Sequence, residues 1–230
     1  MNLGTGLFVA DRFRIPTPQP STPSSLISAV SSIVEHHAWS GPIGVTIPAV
    51  VVDGIVRTAA NIDERWIGFD AQTSMSETLG VPVAVLNDAD AAGLAEVRYG
   101  GHDIENGVVL LLTFGTGIGS ALINNGDLVP NTEFGRLAFR GTTAEEYVST
   151  RSVKRDATDL EAWATRVNDY FGYIDRILSP RTIIVGGGIS KRFHEFSALL
   201  DTEAEIEPAR LRNDAGIVGA AMMIANKELQ

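Results

Sequence analysis

The sequence predicts an α/β fold in two lobes around a largely parallel sheet, and three observations carry that expectation. Short aliphatic runs alternate with amphipathic helical patterns along the chain. Several runs are apolar at every position rather than every second one, as in strands covered on both faces. Gly100-Gly101-His102-Asp103 interrupts the pattern near the middle and places a hinge at 100–106.

Taken in order, Pro16-Thr-Pro-Gln-Pro20 reads as a turn, after which Thr22 caps a helix whose first residue is Pro23. Leu26, Val30, Ile33 and Val34 then fall on one face of that helix. The apolar runs Ile43–Ile47, Val50–Val56, Val83–Leu86, Val108–Thr113 and Thr182–Val185 are the expected strands. Asn124-Asn125-Gly126 has the composition of a tight hairpin turn. Helical patterns occupy 71–79, 88–99, 159–178 and 214–226. In the third, Asp159 is the cap and Trp163, Val167, Phe171, Ile174 and Leu178 line one face.

Composition narrows the function. Of 230 residues 44% are apolar, enough to bury a core, and no apolar run reaches the roughly 18 residues of a membrane span. The amino terminus lacks the basic start and apolar stretch of a signal peptide, so a cytoplasmic protein that does not engage membranes is expected. The absence of cysteine excludes disulfides, cysteine-based zinc sites and a thiol nucleophile. A net charge of −10 argues against DNA binding, and any polyanionic ligand must be held by local charge.

Four segments are candidates for chemistry. In Thr113-Phe-Gly-Thr-Gly-Ile-Gly119, the glycines at 115, 117 and 119 let the backbone turn its N–H groups toward an anion, and Thr113 and Thr116 add hydroxyls. A glycine-rich hairpin without a ligand is the alternative. Gly186-Gly187-Gly188 follows the strand Thr182–Val185 and precedes an expected helix, a usual place for nucleotide or phosphate. Tight strand–helix packing is the alternative. In Asn87-Asp88-Ala-Asp90 the carboxylate at a strand end can take a proton from a hydroxyl that the amide orients, or either residue can cap the helix. Glu133 in Asn131-Thr-Glu-Phe-Gly135, and Asn61, can bind a polyol. His36, His37, His102 and His194 lack ligand spacing, read as surface residues, and leave no metal site expected.

In combination these segments resemble the ROK family of bacterial sugar kinases, and among them the polyphosphate glucokinases. The likeness is carried by Arg14-Ile-Pro-Thr-Pro-Gln-Pro20, Gly44-Val-Thr-Ile-Pro-Ala-Val50, Arg57-Thr-Ala-Ala-Asn-Ile-Asp63 and Asn87-Asp-Ala-Asp-Ala-Ala-Gly93. Thr113–Ala121, Val129-Pro-Asn-Thr-Glu133, Val185-Gly-Gly-Gly-Ile-Ser190 and Ala215-Gly-Ile-Val-Gly-Ala220 extend it over about residues 5–224.

The resemblance implies the actin-like ATPase (ribonuclease H-like) fold. An N-terminal lobe of 1–100, joined by the helix 214–226, would stand beside a C-terminal lobe of 101–213. It implies transfer of phosphate from polyphosphate or ATP to the 6-hydroxyl of glucose, with Asp88 as general base. Asn61, Asn87, Glu133 and Glu145 would bind sugar, and Thr113, Gly115, Thr116, Gly117 and Gly119 the phosphate. Gly186, Gly187 and Gly188 would face the nucleotide or the rest of the donor. Mg²⁺ would accompany the donor, zinc would be absent, and a homodimer is the family expectation. Lys154, Arg155, Lys191, Arg192, Arg210 and Arg212 are candidates for a basic track under a long polyanion.

The sequence departs from the family pattern in three places. The opening D-x-G-G-[ST]-x-x-K turn has no counterpart, and Met1–Gly6 matches the part just after the second strand, so an N-terminal lobe incomplete at its start is expected. Arg136 stands where the family has histidine, and Ala138 where an acid is usual. The alternative function is therefore a non-catalytic sugar-binding remnant, or a partner of an intact paralogue.

Overall fold

The computed structural model describes residues 1–102, 106–156 and 159–228, so Asp103, in the expected hinge, lies outside the described residues. Contacts group the chain into two units, residues 1–91 with 216–230 and residues 92–215.

In the first unit, α1 (Pro23–His36) begins as expected, with the Thr22 hydroxyl accepting from Ser25 N at 3.2 Å. Its face of Leu26, Val30, Ile33 and Val34 is half-buried, and the neighbouring Ile27 is buried. β1 (Ile43–Ile47) forms over the expected run. The run Val50–Val56 is not one strand. Asp53 and Gly54, both at positive φ, fold it into a hairpin of β2 (Val51–Val52) and β3 (Ile55–Val56), as an Asp-Gly pair favours. α2 (Ala71–Leu79) is capped by Asp70, and β4 (Val83–Asn87) pairs in parallel with β1. Trp66 is fully buried in this core with Ile47, Val56, Met75 and Val85, and its indole N–H donates to Ser21 O at 2.9 Å. α3 (Asp88–Tyr99) follows β4 directly.

The second unit is built on a five-stranded sheet. β5 (Val108–Phe114), β6 (Ile118–Asn124) and β7 (Asp127–Val129) form a meander. The Asn125-Gly126 turn lies between the last two, both residues at positive φ. A small hairpin of β8 (Ala138–Phe139) and β9 (Thr142–Thr143) leads into α4 (Ala144–Val148), α5 (Thr150–Arg155) and α6 (Leu160–Leu178). β10 (Thr182–Gly187), α7 (Phe193–Phe196) and β11 (Glu205–Pro208) complete the unit, and the sheet order is β11-β10-β5-β6-β7.

The sheet is mixed rather than largely parallel. β11, β10 and β5 run parallel, and antiparallel pairing begins at β5–β6. The physical reason is connection length: the three residues Gly115–Gly117 cannot make the crossover that a parallel neighbour requires. Both faces of β5 are covered, which is why its run is solidly apolar. Leu110, Leu112 and Phe114 meet Trp163, Val167, Tyr170, Phe171 and Ile174 of α6. Val109 and Leu111 cluster on the other side with Ala92 and Val97 of α3. Trp163 is fully buried and its N–H reaches Val148 O at 2.8 Å; truncating it to alanine would cost about 3–5 kcal/mol.

α8 (Ala215–Glu228) returns to the first unit. Gly219 lies against the Ala91 carbonyl, where any side chain would overlap the backbone. None of the described helices is long and apolar enough to cross a membrane.

Candidate active site

The expected site residues fall in both units. In the first, Asn87 closes β4 and its side chain is engaged at both its carbonyl and its amide. Its carbonyl accepts from Ala89 N (2.8 Å) and Asp90 N (3.1 Å), and its amide donates to Ala49 O (3.1 Å). Of the two residues expected to cap the helix, Asn87 and Asp88, it is Asn87 that accepts from both Ala89 N and Asp90 N. The Asp88 carboxylate accepts from Ala89 N at 2.9 Å and its residue reaches solvent. Desolvation by the surrounding protein nevertheless pushes its pKa above the ordinary 3.8, against the opposing pull of the Ala89 N–H. Asn61 is exposed in the loop before a 3-10 turn at Glu64–Trp66.

In the second unit, Thr113–Gly119 is the end of β5, a tight turn and the start of β6. Gly115 N donates to Gly117 O across the turn (2.9 Å), and the Thr113 hydroxyl donates to Gly119 O (3.4 Å). The turn is fastened from outside. Gly115 O accepts from the Thr150 hydroxyl (2.7 Å) and from Arg151 N (3.2 Å), at the start of α5. Glu145, near the start of α4, lies against Gly117 and accepts from Ile118 N at 3.4 Å. Thr116 is exposed.

Ser120 joins this hairpin to Glu133. Its hydroxyl donates to Thr132 O (2.5 Å) and accepts from Phe134 N (2.9 Å). Arg136 reaches back to the Glu133 carboxylate, Nε to Oε2, at 3.2 Å. Sequence reasoning missed this link, because a serine in a strand gives no sign of its partners.

The second glycine cluster lies beside the first. Parallel pairing sets Gly186 opposite Thr113 and Gly187 opposite Phe114. Gly187 is required there: its φ is +80° and a Cβ would come within 2.8 Å of Phe114 N. Gly188 faces open space and opens a 3-10 turn, Gly188–Arg192, and the helix expected after the cluster is only the four residues of α7. A pocket with about 470 Å³ of free space, its open mouth included, is lined by Thr113, Gly186–Gly188, Lys191 and Arg212. Glu96, Ala209 and Asn213 also border it. Of the Thr113–Gly119 segment, Thr113 alone belongs to this pocket.

Two expectations need correction. His102 is not a surface residue: its ring is fully buried, hydrogen-bonded to Glu207 and Glu96. Its local sequence is turn-like, and the partner Glu207 is remote in the chain. The basic track is also thinner than its six residues suggest. Arg155 pairs with Asp156, Arg192 with Glu195 and Arg210 with Glu207, each at 2.7–2.8 Å.

Comparison with known proteins decides the family. The ROK family model matches residues 6–134. The polyphosphate glucokinase of Mycobacterium tuberculosis is 46% identical over 223 residues, covering 96% of this chain and 84% of that protein. The chain belongs to the ROK family. The polyphosphate glucokinase of Mycobacterium leprae is 44% identical, with 96% of this chain and 69% of that one aligned. Among solved structures, the inorganic polyphosphate/ATP-glucomannokinase from Arthrobacter sp. strain KM superposes with a TM-score of 0.92. It is 44% identical, and the match covers 99% of this chain and 92% of that one. The ROK family glucokinase from Streptomyces griseus, solved with glucose and AMPPNP, shares the fold at a TM-score of 0.74 and 22% identity. The ROK chain described above accordingly has the actin-like ATPase fold.

Proposed function

We propose that this chain is a glucokinase that moves a phosphoryl group from polyphosphate or ATP to the 6-hydroxyl of glucose, with Asp88 as general base. The carrying observation is Asp88 itself, a carboxylate at the carboxyl end of β4 whose proton affinity is raised by desolvation. The 46% identity to a polyphosphate glucokinase supports the choice of substrates.

In the reaction, Asp88 accepts the proton of the sugar hydroxyl as its oxygen bonds to the terminal phosphorus. The bond from phosphorus to the bridging oxygen breaks, and ADP or a polyphosphate one unit shorter leaves. Asn61, Glu133 and Glu145 bind the sugar, and Asn87 holds the start of α3 that carries the base. Thr113, Gly115, Thr116, Gly117 and Gly119 hold the transferring phosphate with hydroxyls and backbone N–H groups. Gly186, Gly187 and Gly188 receive the rest of the donor, and Lys191 and Arg212 in the same pocket supply positive charge. Among the described residues no three His, Asp or Glu side chains are grouped to hold a metal ion. Mg²⁺ would accompany the phosphoryl donor and would supply charge neutralisation during transfer.

The test is glucose 6-phosphate formation with each donor, in the wild type and in Asp88→Asn. The substitution is expected to lower kcat by about 10²–10⁴-fold while calorimetry still detects glucose binding. Unchanged turnover would remove Asp88 from the chemistry. Turnover with polyphosphate that falls more steeply with salt than turnover with ATP would identify a long polyanion as the donor.

One observation favours a second reading. The Arg136 guanidinium engages the Glu133 carboxylate, and it cannot accept a hydrogen bond from a sugar hydroxyl. A non-catalytic sugar-binding protein would show heat of glucose binding with no turnover from either donor.

A further inference from the structure

Near the donor pocket lies a buried charge cluster that the reaction above does not use. The His102 ring, 0% exposed, is held between two carboxylates: Nδ1 lies 2.6 Å from Glu207 Oε2 and Nε2 lies 3.0 Å from Glu96 Oε2. Two ring nitrogens facing two carboxylate oxygens need two hydrogens, and neutral imidazole has one. Both acids also accept from other donors. Glu96 already accepts from Arg210 N (3.0 Å) and Leu211 N (2.8 Å), and Glu207 accepts from the Arg210 guanidinium (2.8 Å). With both carboxylates ionised, the two contacts together require the imidazolium form. Burial alone would lower its pKa, yet the hydrogen bonds and charges of Glu96 and Glu207 outweigh burial and raise it above 6.5.

The cluster has a direct line to the pocket. Glu96 is itself part of the lining, and the backbone it grips, Arg210–Leu211, leads straight into Arg212 and Asn213, also part of the lining. Arg212 is held at a φ of +53°, so its placement depends on how the preceding residues are anchored. Arg210 adds a second anchor, donating to Gly101 O at 2.7 Å. A buried carboxylate in the wall of an anion pocket repels the anion unless a cation neutralises it, and His102 is the cation facing Glu96. Among the described residues, the charged groups around the ring, from α3, β11 and the segment after it, are Glu96, Glu207 and Arg210.

We propose that the His102 imidazolium is a positioning group for the donor pocket. It clamps Glu96 onto the Arg210–Leu211 backbone, neutralises that carboxylate, and keeps the pocket receptive to a phosphate-bearing donor. This inference rests on the donor reading of the pocket. Loss of the ring proton leaves Glu96 less compensated and one hydrogen bond short, so donor affinity falls as pH rises, without a change in the sugar.

The test joins histidine NMR to calorimetry. The His102 ring, assigned with His102→Gln, is followed from about pH 6.5 to about 9.5. Affinity for Mg·ATP and for polyphosphate of defined length is measured above about pH 7.5, where the phosphates carry full charge. Donor affinity is expected to fall at least about fivefold as the ring loses its proton. Glu207→Gln, which keeps an amide in place of the carboxylate, is expected to move the ring titration and the loss of affinity to lower pH together. The coupling is read in whichever of the wild type and Glu207→Gln titrates within that range. Donor affinity that stays flat while His102 titrates would overturn the clamp and leave the donor pocket standing. Failure of both donors to bind at every pH would overturn the donor reading, and the clamp with it.

Discussion

Asp88 and Glu96 are two carboxylates on one helix, and the fold treats them in opposite ways. Asp88 opens α3, reaches solvent, and accepts from its own neighbour's N–H, while desolvation raises its pKa. Glu96 is 1% exposed and satisfied by His102 and by the Arg210 and Leu211 N–H groups. The first is under-supported, as a group must be if it is to pick up a proton during a reaction. The second is saturated, as a group must be if it is to hold a loop in place. The difference teaches that charge alone does not separate two acids on one helix; burial and the number of donors around each do.

The largest effect on stability is expected at the saturated acid. Glu96→Ala leaves the His102 imidazolium with one carboxylate and orphans two backbone N–H groups, so denaturant unfolding should show a loss of about 3–5 kcal/mol. A loss under about 1 kcal/mol would put Glu96 on a par with a surface acid.

The next effect is one of pH. His102 has a raised pKa in the folded chain, so its contribution is complete below the ordinary histidine value of 6.5 and is lost as pH climbs through the raised value. Unfolding temperature should therefore fall across that alkaline window in the wild type and stay flatter in His102→Gln. Parallel profiles would contradict the clamp.

A smaller effect belongs to the cap. Asn87→Ala removes two acceptor bonds at the start of α3 and should cost about 0.5–2 kcal/mol, read by denaturant unfolding. If Asn87 also touches sugar, glucose affinity falls more than the loss of the cap explains, and Asn87→Asp, which keeps the cap, separates the two.

Much of this frame was legible in the sequence where the signal is local. The Thr22-Pro23 start of α1, the Asp159 cap of α6 and the Asn125-Gly126 turn each lie within a few residues of their cause. β11 was not legible because Glu205 and Glu207 alternate with Ile206 and end at Pro208, an edge pattern without an aliphatic run. β6 was hidden by Gly119 and Ser120, which read as the tail of a glycine loop although Ile118, Ala121 and Ile123 are buried. The candidate phosphate and donor glycines could be picked out by composition, but their side-by-side register on β5 and β10 could not. His102 was misread for the same reason: its meaning comes from Glu207, on a strand far along the chain.

The contrast between the two acids is tested most directly in Asp88→Asn, by measuring unfolding temperature and turnover on the same preparation at neutral pH. An acid with a raised folded pKa destabilises the fold when ionised, because the stability tied to its protonated form is present below the unfolded pKa and lost as pH rises through the folded one. The account therefore expects Asp88→Asn to unfold at a higher temperature than the wild type while losing turnover by about 10²–10⁴-fold. A variant that unfolds earlier and still turns over glucose would show that Asp88 is a structural residue of α3 and not the base.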